Sequence, residues 1–143
     1  MERKRSMDEK KVVDAIQRKF QKTGKIVKIK LVKGGSFQAD MTEKGVRVNN
    51  LGSQPFLPWA VFEETVRLLI RDGGRAERGS ALGGRLGDRE LPLDSVEGHI
   101  AHTVYGKQVG ETVFRRVVPV AAILIWAGIC EVAPGELVLK DRT

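Results

Sequence analysis

Apolar residues first recur along this chain at helical spacing. Between Asp8 and Lys22, Val12, Val13, Ile16 and Phe20 share one stripe, while Lys11, Arg18 and Lys22 gather on the other side. That is the pattern of a helix laid on a core. Thr23-Gly24 supplies the stop, because glycine readily takes the left-handed conformation of a helix end. From Ile26 to Lys33 the period changes to two, with Val27, Ile29 and Leu31 alternating with Lys28 and Lys30. Gly34-Gly35 marks a turn, and Phe37, Ala39 and Met41 resume the alternation. A second turn at Glu43-Lys44-Gly45 leads to Val46 and Val48, with Arg47 and Asn49 facing away. Three short strands joined by tight turns predict an antiparallel meander. One face would pack on helices and the other would display lysine and arginine.

Leu57-Pro58-Trp59 opens a second helix, with proline suited to a first helical position. Trp59, Phe62, Val66, Leu69 and Ile70 make its buried stripe, and Glu63 and Arg67 sit four apart on the flank. Asp72-Gly73-Gly74 ends it. Residues 73–89 then hold six glycines and four arginines with few large apolar groups, the composition of a loop or linker. Beyond it, Asp94-Ser95-Val96-Glu97 has the form of a capping box. The helix it starts carries Val96, Ile100 and Val104 inward and ends at Tyr105-Gly106. A further helical stretch runs from about Glu111 to Ala127, kinked or restarted at Pro119, and Gly128 closes it. Ala133-Pro134-Gly135-Glu136 turns into a short strand, Leu137-Val138-Leu139. The expected fold is α+β. Residues 1–72 form a basic lobe of helix, meander and helix, residues 73–90 a Gly/Arg-rich loop or linker, and residues 91–143 a mostly helical lobe.

Composition sharpens this picture. With 143 residues, 41% of them hydrophobic, the chain can bury a core as one domain or two lobes sharing it. Cys130 is the single cysteine, which excludes an intramolecular disulfide framework and a multi-cysteine zinc site, and points to a reducing cytoplasm. Met1 to Lys11 is charged and lacks the apolar region of a secretory signal. The longest apolar run, Val117 to Ile129, is 13 residues and contains Pro119 and Gly128. A membrane-spanning helix needs roughly 20, so a buried helix is expected and no membrane association. The net charge is +7, and it is uneven. Residues 1–50 hold 14 Lys/Arg against 6 Asp/Glu, giving +8, whereas residues 51–143 hold 11 against 12, giving −1. Such asymmetry points to an anionic partner, nucleic acid being the commonest.

Candidate chemistry is sparse. The stretch from Gly73 to Gly87 could cradle phosphate with backbone N–H groups and grip it with arginine. Yet no Gly-Lys-Ser/Thr follows it, and it comes after a helix, the reverse of both nucleotide fingerprints. His99 and His102 lie three apart with Glu97 nearby, but no further ligand accompanies them, so structural histidines are expected. Cys130 follows a long apolar helix and reads as a small buried hydrophobe. Asp40, Glu43 and Lys44 lie near strand ends, without the acid–any–lysine spacing of a nuclease. No catalytic residue, cofactor or metal site is implied.

Arg115 and Arg116 stand at the start of the last helical stretch, where they could meet DNA phosphate or guanine edges. Together Phe114-Arg115-Arg116, Ile123-Leu124-Ile125-Trp126-Ala127-Gly128-Ile129 and Gly135-Glu136-Leu137-Val138-Leu139 resemble a winged-helix domain. The likeness is to those that accompany Mrr-type restriction endonucleases, and it covers about a third of the chain. It implies that the Arg115-Arg116 region approaches the major groove and that Pro134-Gly135 belongs to the wing. The expected function is non-enzymatic nucleic-acid binding, DNA before RNA, by an accessory or regulatory protein. Lys28, Lys30, Lys33 and Arg47 would be the main contacts, with Arg75, Arg78 and Arg85 assisting. A rival is a protein-interaction module, in which the apolar C-terminal lobe completes a homodimer or docks a partner. An exposed apolar patch around Trp126 would mark it. A third is an enzyme built on a pocket gathering Asp40, Glu43, His99 or His102.

Overall fold

The Asp8 carboxylate accepts the backbone N–H groups of Lys10 and Lys11 at 3.0 and 3.1 Å. The computed structural model describes residues 8–140. This Asx turn leads into α1 (Val12–Thr23), which therefore starts four residues later than the apolar spacing alone indicates. Val12, Ile16 and Phe20 are fully buried along its inner stripe. The meander follows as β1 (Ile26–Lys30), β2 (Ser36–Met41) and β3 (Gly45–Val48), with Lys28 opposite Gln38, Lys30 opposite Ser36 and Asp40 opposite Arg47. A fourth strand, β4 (Phe56–Pro58), extends the sheet in the order β1-β2-β3-β4. Val27, Ile29, Phe37, Ala39, Val46, Val48 and Leu57 face the core. Gly45 has no room for a side chain, because a Cβ there would sit 2.8 Å from the Pro58 Cα.

Pro58 ends β4 in an extended conformation and stands at the N-cap of α2 (Trp59–Arg71), so this helix begins one residue later than the sequence suggests. The Trp59 indole N–H donates to the Glu43 carbonyl at 3.0 Å, tying the helix start to the β2–β3 turn. Arg67 pairs with Glu64, three residues back, and not with Glu63.

The second half builds β5 (Arg75–Glu77), α3 (Val96–Thr103), α4 (Val117–Trp126), β6 (Cys130–Ala133) and β7 (Glu136–Leu139). The three strands form an antiparallel sheet in the order β5-β7-β6. β5 lies in the stretch read as loop, because Ala76 is its one apolar residue and the pairing with β7 defines it. Residues 78–94 stay irregular but are tied down. Leu86 and Leu91 are buried, Leu86 N–H donates to the Glu111 carbonyl at 3.0 Å and Gly110 N–H to the Leu86 carbonyl at 2.8 Å.

α4 starts at Val117, later than expected, and shows no break at Pro119, which occupies the first turn. There a missing N–H forfeits no intrahelical bond. Gly128, with φ 81°, closes the helix. Its N–H reaches the Ile125 carbonyl and the Ile129 N–H reaches that of Leu124, a Schellman pattern. Val117 and residues 119–124 are buried, in one hydrophobic cluster that extends from Val12 through both sheets to Leu137. Among the described residues no helix is long and apolar enough to cross a membrane.

Candidate nucleic-acid interface

The alternation of β1 places Lys28 and Lys30 on the outer face of the four-stranded sheet while Val27 and Ile29 go inward. Their cross-strand neighbours are the uncharged Gln38 and Ser36. Neither lysine takes part in an ion pair among the described residues. Arg47 shares this face and lies 3.7 Å from Asp40, a loose exposed pair of the kind that contributes about 1 kcal/mol or less. Lys33 stands beyond β1, in the exposed turn to β2.

That turn is also one wall of a groove of about 640 Å³. Leu31, Val32, Val118 and Pro134 give the groove an accessible apolar part over the buried Val117 and Ala121, and Lys33, Arg78, Arg89 and Arg115 line it as cations. Three carboxylates, Glu77, Glu90 and Glu136, line it as well. Arg78 donates to the carbonyls of Glu136 and Ala133 at 3.1 and 3.5 Å, which fixes the β6–β7 turn. Glu136 is itself paired with Arg75 at 2.6 Å. Arg85 turns elsewhere, to the Gly110 carbonyl at 3.3 Å. Six of the nine sequence-derived cations thus fall into a sheet-face set, Lys28, Lys30 and Arg47, and a groove set, Lys33, Arg78 and Arg115, while Arg75, Arg85 and Arg116 belong to neither. Arg89 joins the groove set unforeseen. Its position in the solvated run Asp88-Arg89-Glu90 hides it, although it belongs to the same Gly/Arg-rich stretch.

Arg115 and Arg116 point opposite ways. Arg115 is exposed, whereas Arg116 is 5% exposed, with its guanidinium 3.6 Å from the Tyr105 ring centroid and 4.8 Å from that of Phe114. It donates to the Gln54 side-chain carbonyl and to the Phe114 backbone carbonyl, so its side chain serves the core. Beneath it lies Glu97, a residue whose role the sequence pattern misassigned. Ser95 caps α3 by accepting the Gly98 N–H at 3.1 Å. Glu97 instead accepts the backbone N–H groups of Arg116 at 2.9 and 3.0 Å and of Val117 at 3.1 Å. It is the side chain that caps α4. Burial pushes its carboxyl above the ordinary glutamate value, against those N–H donors and the nearby Arg116 charge, which act to lower it.

The remaining chemistry is dispersed. His99 Nε2 lies 3.0 Å from Glu64 Oε1, while His102 Nδ1 lies 2.8 Å from the Lys107 carbonyl. Among the described residues no group of three or more His, Cys, Asp or Glu side chains is spaced to hold a metal. None of Asp40, Glu43, His99 and His102 lines the groove. Cys130 is buried on β6, and burial, with Glu131 nearby, pushes its thiol up to about 12. In the folded protein at pH 8 it should react with a disulfide reagent at least about a hundredfold more slowly than in urea. Equal rates in a reagent time course would mean that β6 opens freely.

Comparison of the chain with protein-family models, with curated proteins and with solved structures finds no match.

Proposed function

We propose that the protein binds nucleic acid, duplex DNA first, without catalysing a reaction, through the outer face of the four-stranded sheet and the turn that carries Lys33. One observation carries this reading. Lys28 and Lys30 project from the same face with uncharged neighbours across the strand and no ion pair among the described residues. Two positions along a strand place them about 7 Å apart. Cations held this way keep their full charge for phosphate, and each phosphate they neutralise releases counterions. On the winged-helix resemblance, the hairpin of β6 and β7 after α4, turning at Pro134-Gly135, would be the wing. α4, buried on most sides, would there be a scaffold and not a groove-reading helix.

The dimerisation reading has less support. Trp126 packs edge-on against Phe20 at 4.8 Å, and the Lys19 ammonium lies 5.6 Å from its ring. The exposed apolar side chains, among them Ile26 on β1, Val109 between α3 and α4 and Val132 on β6, lie in separate segments.

Fluorescence anisotropy of a labelled duplex over a salt series tests the proposal. A footprint of three to five phosphates should give a log–log slope of about −3 to −5. Changing Lys28, Lys30 and Arg47 together to glutamate should lower affinity by about two to three orders of magnitude at 0.1 M salt and flatten the slope by about 3. Failure of the unaltered protein to bind at low salt, or an unchanged slope in the triple variant, would sink the reading.

A further inference from the structure

We infer that the groove beside α4 receives unpaired nucleotides, so that the protein favours a duplex with a single-stranded tail over a blunt one. The inference rests on the nucleic-acid reading and extends it to a second surface of different shape. The sheet face offers lysines on strands. The groove is a concavity of about 640 Å³ whose accessible apolar part is made by Leu31, Val32, Val118 and Pro134. A duplex presents its phosphates on a convex exterior and keeps its bases stacked, so it has nothing to lay on such a surface. An unstacked base does, since its flat face is apolar while its phosphate stays charged.

The charged lining fits the same ligand. Arg89 and Arg115 are exposed and take part in no hydrogen bond or ion pair among the described residues, and Lys33 lines the groove from the β1–β2 turn. Arginine can grip phosphate in fork geometry or lie flat on a base, which supplies stacking in a groove with no aromatic residue in its lining. The carboxylates would oppose a site for phosphate alone. Glu136 is neutralised by Arg75 at 2.6 Å, leaving Glu77 and Glu90. A carboxylate accepts from the exocyclic amino group of cytosine, and adenine and guanine carry one too, whereas thymine offers only its single ring N3–H. The mixed lining therefore suits an amino-bearing base whose edge is free of a pairing partner.

The test is anisotropy at 0.1 M salt with a blunt duplex and the same duplex carrying an oligo-dC or an oligo-dT tail of about ten nucleotides. The dC-tailed duplex should bind about tenfold tighter than the blunt one, with the dT tail giving a smaller gain. The double variant Arg89→Ala, Arg115→Ala should bring the tailed-to-blunt affinity ratio down to about one. Lys28→Glu with Lys30→Glu should weaken every duplex while keeping the ratio. Equal binding of tailed and blunt duplexes, or a ratio untouched by the groove variant, overturns the inference and leaves the sheet-face reading standing. Equal gains from dC and dT tails overturn the assignment of Glu77 and Glu90 to the base edge. No binding of any duplex removes both proposals together.

Discussion

Replacing Glu97 by alanine is expected to destabilise the fold by about 4 kcal/mol, the largest single effect among the polar residues. The carboxylate is 1% exposed and accepts N–H groups from Arg116 and Val117 at the start of α4. Its removal leaves those donors buried without an acceptor and takes away a negative charge that interacts with Arg116. Glu97→Gln keeps one acceptor oxygen but turns an amide N–H₂ toward backbone donors, so about half of the loss should remain. The pH dependence has a definite sign. Burial raises the folded-state pKa of Glu97 above its unfolded value, near 4.3. The folded state then holds the proton more tightly, and the linked stabilisation is complete below the unfolded value and fades as pH rises through the folded one. Urea titrations should therefore show a wider gap between the unaltered protein and Glu97→Gln at pH 4 than at pH 7. A gap that widens with pH would mean that the N–H donors and Arg116 outweigh burial.

Glu97 also shows where sequence reasoning reaches its limit. A carboxylate three residues after a possible cap reads locally as a capping box, but its donors lie 19 and 20 residues along the chain. Local periodicity is enough for α1 and the meander, which announce themselves within one or two turns, but only for part of α2. There Phe62, Val66 and Leu69 are buried as expected, whereas Val61, Thr65 and Leu68 are buried too and Trp59 and Ile70 only partly. β4 and β5 are three residues each, too short to show a period, and they exist because β3 and β7 lie beside them. The lysine face is legible for the reason the meander is, since a strand sends neighbours to opposite sides. The groove is not. Its walls come from the β1–β2 turn, the segments after β5, the start of α4 and the β6–β7 turn, and no window of sequence contains them together. Arg115 and Arg116 carry the lesson to a single dipeptide, identical in chemistry and opposite in burial.

Gly98→Ala should destabilise the protein by about 3 kcal/mol, although the position lies inside a helix. In an ordinary helix interior alanine is favoured over glycine by about 1 kcal/mol, so propensity alone predicts the opposite sign. Gly98 belongs to the first turn of α3, packed onto the turn that precedes it. A Cβ there would collide with the Pro92 carbonyl oxygen and stand 3.0 Å from both the Pro92 carbonyl carbon and Ser95 Oγ. Neither neighbour can retreat freely. The Ser95 hydroxyl donates to that same Pro92 carbonyl at 2.7 Å and accepts the Gly98 N–H at 3.1 Å. Relief of the clash requires opening the turn, which removes the cap of α3 and shifts Glu97 away from the start of α4. Gly83→Ala is the matching control, because its Cβ would meet only the Glu90 side chain, at 3.4 Å, and a change within about 0.5 kcal/mol is expected. Urea midpoints at a shared slope measure both. A neutral or stabilised Gly98→Ala would mean that the Pro92–Ser95 turn yields at little cost. Combination with Glu97→Ala sharpens the result. Both substitutions disturb the same junction between α3 and α4, so the double variant should lose less than the two single losses added together.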